Sequence, residues 1–152
     1  MVTSNHSISI VFPNQLFKDS PILNKDVKKI FLIEEHLFFK HYKFHKQKIA
    51  YHRSSMRKYY DYLKTKDFNV EYIHSFDKSS DIRFFLDNLD EQVTAINIYN
   101  PVDNWLLKRI NNHKKDININ ISNNPLFINT NQDLSTFFRI DKKTYSHAVF
   151  YK

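Results

Sequence analysis

Short runs rich in β-branched and aromatic residues alternate along the chain with longer segments whose apolar residues recur at helical spacing. The predicted strands are Ser7–Phe12, Lys29–Glu34, Val70–Ser75, Ala95–Asn100 and Ile117–Ser122. The predicted helices are Phe44–Lys66, Asp81–Asp90, Val102–Lys114 and Gln132–Phe138. Strand–helix alternation predicts an α/β fold with a parallel sheet between layers of helices. Right-handed crossovers favour a doubly wound, Rossmann-like sheet of five strands in the order 3-2-1-4-5.

Ligands of doubly wound sheets bind beyond the carboxyl ends of the strands, where the winding reverses. That rule points to the loop PNQLF after the first strand and the loop NPVDNW after the fourth, with the segment IEEHLFF beside them. Asp103 suits a first-turn position facing a helix dipole, and helix capping is favoured over contact with a ligand. Trp105 is the one tryptophan of the chain. We expect it in the core, with a ring that stacks on a planar chromophore as the alternative.

The chain contains no glycine, and this excludes three kinds of site. A phosphate loop, a dinucleotide-binding turn and the nucleophile elbow of hydrolases all need glycine at fixed positions. Turns that require a positive φ must use another residue, and asparagine tolerates that region best. We therefore expect asparagine in this role at the ends of elements, at Asn69, Asn88, Asn100, Asn123 and Asn124.

Cysteine is absent too, so disulfides are excluded, which agrees with a cytoplasmic protein. The N-terminal residues lack the pattern of a secretory signal, and no apolar run reaches the roughly 20 residues of a membrane span.

His41 and His45 stand four residues apart without an evident third ligand, so no metal site is predicted. Serine and threonine show no His–acid arrangement, so covalent catalysis is not predicted.

The predicted helix Phe44–Lys66 is basic and aromatic at once. Its inward face holds His45, Ile49, His52, Met56, Tyr59, Tyr60 and Leu63, with Arg53 at the margin. Burying a cation requires a carboxylate partner, and Glu34 at the end of the second strand is the candidate. A structural ion pair that fixes the helix on the sheet is favoured over a direct role in ligand binding.

The chain carries a net charge of +7, which permits an anionic partner. Lys46, Lys48, Arg57 and Lys58 are scattered around the basic helix, and this favours a solvated polar face over a dedicated phosphate stripe. We expect weak binding of nucleic acid without sequence preference.

Four segments carry a resemblance to a known family: IVFPNQLF, FLIEEHLFF, FHKQKIAYHRSSMRKYYDYL and NPVDNWLLKRI. In this order they resemble the N-terminal domain of the photolyase-related proteins of the cryptochrome/photolyase superfamily. The resemblance implies that residues 1–152 are one α/β domain of the kind that holds an antenna chromophore, a lumazine in some members. The candidate cofactor-binding residues are then Asn14, Gln15, Leu16, Glu34, Phe38, His45, Pro101, Asp103 and Trp105.

In that family a helical C-terminal domain carries FAD, and in many members an iron–sulfur cluster, and it repairs DNA or signals light. We expect that domain to be the partner of this one and to be absent from residues 1–152, which alone are not expected to be catalytic. Two departures concern the chromophore. The lumazine-binding branch has Gly-Asp-Gln-Leu where this chain has Pro13 to Leu16, and an acidic residue where this chain has Phe38.

Two hypotheses therefore remain open. The chain is the antenna-type domain of a photolyase-related flavoprotein, or it is a free-standing module that binds nucleic acid or a nucleotide-like small molecule.

Overall fold

The computed structural model describes residues 6–151. Its five strands form one sheet in which every neighbouring pair is parallel, in the order β3-β2-β1-β4-β5. This confirms the predicted doubly wound α/β fold. The strands are β1 (His6–Val11), β2 (Lys29–Ile33), β3 (Val70–Ile73), β4 (Val93–Tyr99) and β5 (Asn118–Ser122).

Six helices accompany the strands in the described part of the chain. They are α1 (His36–Phe39), α2 (Lys46–Thr65), α3 (Ile82–Asp87), α4 (Asn104–Asn111), α5 (Asn131–Phe137) and α6 (His147–Phe150), with a 3-10 turn at Lys78–Ser80. The sequence did not predict α1 or α6, which are one turn long. The other four helices lie within the predicted segments or differ from them by one residue at an end.

Apolar side chains of the sheet alternate between two cores, one on each face. In β1, Ile8 and Ile10 pack with residues of α3 and α4, while Val11 faces the opposite way and packs with α2. This alternation follows from the period of two in a strand. The helix α2 contributes Met56, Tyr59 and Leu63 to its core, all buried as predicted.

His45 does not share that buried face. Its imidazole Nδ1 accepts a hydrogen bond from the backbone N–H of Gln47 at 3.2 Å, and the residue is exposed. It is the N-cap of α2, so the helix begins at Lys46 rather than at Phe44. The cap position has a backbone angle outside the helical region, which takes the side chain off the helical face.

The chain divides into two compact units at Ser122. The first unit holds the sheet. In the second, Thr130 and Asp133 form a capping box at the start of α5, and rings of Phe137 and Phe150 pack with centroids 4.9 Å apart.

Across residues 6–151 no helix is both long and apolar enough to cross a bilayer.

The expectation that asparagine replaces glycine at positive φ is wrong. Among the described residues, positive φ occurs at Asp67 (60°) and Val102 (63°). Two of these asparagines accept hydrogen bonds from backbone N–H groups two residues ahead, Asn100 from Val102 at 3.1 Å and Asn124 from Leu126 at 3.0 Å. Asn69 and Asn88 instead donate from Nδ2 to the carbonyl oxygens of Lys28 and Phe84, both at 2.9 Å. Asn100 and Asn124 therefore form turns through their side-chain oxygens, and in the Asn100 turn the positive φ falls on Val102 and not on the asparagine.

Candidate ligand site at the carboxyl end of the sheet

The winding reverses between β1 and β4, which are paired side by side. The loop after β1 crosses this point through Gln15, whose side chain is buried. Its Nε2 donates hydrogen bonds to the carbonyl oxygens of Tyr99 at 3.4 Å and Asn100 at 3.2 Å. Gln15 therefore ties the first loop to the end of β4, and the two predicted loops lie together at the switch.

Two amide oxygens at this position are buried and lack a hydrogen-bond partner among residues 6–151. They are Oδ1 of Asn14 and Oε1 of Gln15. Leaving a buried acceptor unsatisfied costs about 1–3 kcal/mol, and most buried polar atoms in native structures have a partner. Each oxygen can accept a hydrogen bond, and the described residues supply no donor to either of them. Leu16, the next residue, is half-buried and packs against the core on the α2 side.

The loop after β4 has an unusual backbone. Pro101 is buried, and Val102 follows it with a positive φ that is rare for a β-branched residue. Asp103 then caps α4 by accepting a hydrogen bond from the N–H of Leu106 at 2.9 Å, which is the predicted cap. Strained residues of this kind cluster at functional sites, where the surrounding structure holds them in place.

Trp105 is not a core residue, and that prediction is wrong. Its side chain is 52% exposed, because the inward face of α4 is formed by Leu106 and Ile110. One residue in a helix is a rotation of about 100°, so Trp105 lies beside that face. Its ring packs against the ring of His41, with centroids 5.3 Å apart.

The predicted ion pair between Glu34 and Arg53 is present. The side chain of Glu34 is fully buried, and Arg53 Nε and Nη2 each donate to a different carboxylate oxygen at 2.7 Å. The Tyr72 hydroxyl donates at 2.7 Å and the Ser75 backbone N–H at 2.9 Å. Burial alone would raise the pKa of Glu34, but these hydrogen bonds, first among them those from Arg53, hold it at about 2.

Arg53 lies between two aromatic rings as well as against the carboxylate. Its guanidinium carbon is 5.7 Å from the ring centre of Phe39 and 5.5 Å from that of Phe76, and Nη2 also donates to Ser75 Oγ at 3.0 Å. The side chain keeps about one third of its surface exposed. Arg53 and Glu34 therefore fix α2 against the ends of β2 and β3.

Glu35, the next residue, faces the other side of the sheet and was missed in the sequence. Its fully buried carboxylate accepts hydrogen bonds from the N–H groups of Leu37 and Ile82, and lies 3.5 Å from Arg109 Nη1. Burial raises the pKa of Glu35 to about 7, although both hydrogen bonds and the charge of Arg109 oppose the rise. Arg109 Nη1 makes no hydrogen bond within the described residues, and its other carboxylate neighbour, Asp81, is 3.8 Å away.

Strand alternation could have identified Glu35. If Glu34 faces α2, its neighbour must face the opposite layer. Helical spacing could likewise have identified Arg109, which follows Leu106 by three residues on the inward face of α4.

Phe38 and His41, two residues considered in the sequence analysis, make packing contacts with their neighbours. Phe38 is half-buried and packs against both cores, in the position where the lumazine-binding pattern has an acidic residue. His41 contacts the rings of Trp105 and Tyr42. No group of three or more His, Cys, Asp or Glu side chains suited to a metal ion occurs in residues 6–151.

Arg53→Ala should lower the free energy of unfolding by about 2–3 kcal/mol. Removing one partner of a buried pair costs about 3–5 kcal/mol, and the loss is smaller here because Arg53 is partly exposed and Glu34 keeps its bonds from Tyr72 and Ser75. Denaturant melts measure the loss. Arg57→Ala, one turn along and exposed, is the control and should cost less than about 1 kcal/mol. Equal losses in both variants would contradict the anchoring role.

Glu35→Gln should change how stability depends on pH. Between pH 4.5 and about 7 the unfolded state has released the proton of Glu35 while the folded state retains it, so the free energy of unfolding of the native chain falls as pH rises. The free energy of unfolding of the variant does not fall in this way. Between pH 4.5 and pH 7 the difference in stability between the variant and the native chain should therefore shift by about 3 kcal/mol in favour of the variant. Melts at both pH values measure it, with the exposed Glu91→Gln as the control. Parallel curves for the native chain and Glu35→Gln would refute the assignment.

Two comparisons with known proteins bear on the family of this chain. The family model described as "Deoxyribodipyrimidine photo-lyase-related protein" matches residues 9–152. The chain is also similar to "Uncharacterized protein R852" of Acanthamoeba polyphaga mimivirus, with 30% identity over 156 residues, covering 95% of this chain and 79% of the mimivirus protein. The family match begins within β1 and includes the other four strands and both loops of the candidate site. The chain therefore belongs to the deoxyribodipyrimidine photo-lyase-related protein family.

Proposed function

We propose that this chain is the α/β domain of a light-responsive or DNA-repairing flavoprotein, and that it binds a planar antenna-type chromophore at the winding switch. Membership of the photolyase-related family supports the first part. The second part is carried by one observation, the two buried amide oxygens of Asn14 and Gln15 that lack partners within the described residues. The proposed role is binding. The chemistry belongs to a partner helical domain that carries FAD and, in many relatives, an iron–sulfur cluster.

The chemistry of the two oxygens selects among ligands. Amide oxygens accept hydrogen bonds and carry no charge, so they suit the ring N–H and hydroxyl groups of a neutral heterocycle. The family's lumazine-binding pattern offers carboxylates at the positions of Asn14 and Phe38 instead. A lumazine bound here would make fewer charged contacts than in that branch, and in the proposed complex its hydrogen bonds go to the two amides. When bound, such a chromophore absorbs light and passes the excitation to the flavin.

Gln15 offers an acceptor whose orientation is already fixed by other hydrogen bonds. Its Nε2 is already committed to two carbonyl oxygens at the end of β4, and this fixes the direction of the free Oε1. An acceptor held in advance loses little conformational entropy on binding, which favours affinity. Asn14 differs, since its side-chain oxygen can be removed without breaking the tie between the loops.

Titration of the purified chain with 6,7-dimethyl-8-ribityllumazine tests the proposal. Saturable changes in the probe's visible absorbance and fluorescence are expected. Asn14→Leu, which removes one acceptor at similar volume, should weaken binding about tenfold, the value of about one hydrogen bond. Asn111→Leu, exposed at the far end of α4, is the matched control and should bind like the native chain. Absence of binding, or equal binding by Asn14→Leu, would overturn the chromophore site.

A further inference from the structure

The net charge of the chain is concentrated in one segment, residues 36–60. That segment contains five lysines, two arginines and four histidines, with no aspartate or glutamate. The rest of the chain has sixteen lysines and arginines against sixteen aspartates and glutamates. The whole net charge of +7 therefore originates here, and a localised charge creates a stronger field than the same charge spread over the surface.

Most of these cations are available to solvent. Arg53 is committed to Glu34, while Lys40, Lys43, Lys46 and Lys48 are exposed in the nine residues around the start of α2. Around α2 itself the lysines are scattered, as the sequence indicated. Together with the two lysines of the preceding loop, however, they surround the N-terminal end of the helix, which adds its own positive potential.

A row of aromatic rings runs through the same region. It connects Trp105 to His41 at 5.3 Å, His41 to Tyr42 at 4.4 Å and Tyr42 to Phe44 at 5.9 Å between ring centres, and Lys48 Nζ lies 4.2 Å from the centre of the Phe44 ring. Trp105 and Tyr42 are 52% and 58% exposed. Exposed rings interleaved with lysines are the arrangement by which proteins bind unpaired nucleobases.

We propose that this ring row, Trp105–His41–Tyr42–Phe44, and the lysines around it bind single-stranded nucleic acid. Unpaired bases would stack on the exposed rings while the ammonium groups contact phosphates. A duplex hides the faces of its bases, so it offers only the phosphate contacts. A membrane surface is disfavoured because the apolar residues of α2, Met56 among them, are buried against the sheet, and an interfacial helix needs them exposed. The inference does not depend on the two unpaired oxygens of Asn14 and Gln15, on which the proposed chromophore site rests.

The direct test is fluorescence anisotropy with the purified chain and a labelled oligothymidine of about 16 nucleotides. The single strand should bind at least about tenfold more tightly than a duplex of the same length, and phosphatidylserine vesicles should compete poorly. The fluorescence of Trp105, the one tryptophan, should fall as bases stack on it. Equal affinity for the duplex, tighter binding to the vesicles, or unchanged tryptophan fluorescence at saturation would each overturn the proposal.

A charge variant with a matched control locates the phosphate contacts. Lys43→Gln/Lys46→Gln/Lys48→Gln removes three positive charges from the proposed surface. The control removes three exposed lysines elsewhere, as Lys18→Gln/Lys25→Gln/Lys143→Gln, and has the same net charge. The slope of log K against the logarithm of the salt concentration should become less steep by about 2 in the first variant. Each phosphate contact to a single strand contributes about 0.7 to this slope. Equal slopes in the two variants would place the binding elsewhere.

A ring variant tests stacking separately from charge. Tyr42→Ala should bind the single strand about tenfold more weakly and leave duplex binding unchanged. Phe127→Ala, which removes a similarly exposed ring from the second unit, should bind like the native chain. Tyr42 is exposed, so the variant should unfold at the same temperature as the native chain. Native affinity in Tyr42→Ala would refute the stacking role.

Discussion

The buried ion pair of Glu34 and Arg53 is the interaction on which the arrangement of this domain depends. A fully buried carboxylate is tolerated because two guanidinium N–H groups, a phenol and a backbone N–H all donate to it. The donors come from α2, from β3 and from the residues just beyond β3, so a single carboxylate joins three segments. The pair holds α2 in place together with the buried side chains of Met56, Tyr59 and Leu63, and α2 carries the lysines at its start.

The end of β2 places two consecutive carboxyl groups in surroundings that shift their pKa values in opposite directions. Glu34 faces α2, where strong donors keep it ionised, while Glu35 faces α3 and α4, where burial dominates and raises its pKa to about 7. The pairing of Glu35 with Arg109 is looser, at 3.5 Å, and the donor nitrogen has no hydrogen bond within the described residues. Glu34 thus holds α2 with an ionised carboxylate. Glu35 gives the layer of α3 and α4 a carboxyl group that changes charge near neutral pH.

Features with a strong periodic signal could be predicted from the sequence, and features set by local geometry could not. The strand order and the partner of Arg53 follow from alternation, crossover handedness and the cost of burying a cation. Trp105 is exposed because Leu106 and Ile110 form the buried face of α4, whereas its predicted core position rested on residue type alone. The positive φ of Val102 has no sequence signal, because β-branched residues disfavour that region. His45 was placed on a helical face because periodicity does not reveal that it caps the helix.

Glu34 and Glu35 differ in pKa because they face different layers of helices. The most direct test is a titration of the side-chain carboxyl carbons of Glu34 and Glu35 by NMR. We expect Glu34 to stay ionised down to about pH 2 and Glu35 to change its protonation near pH 7. Titration of both groups near the ordinary value of 4.5 would show that the two layers do not set their charges.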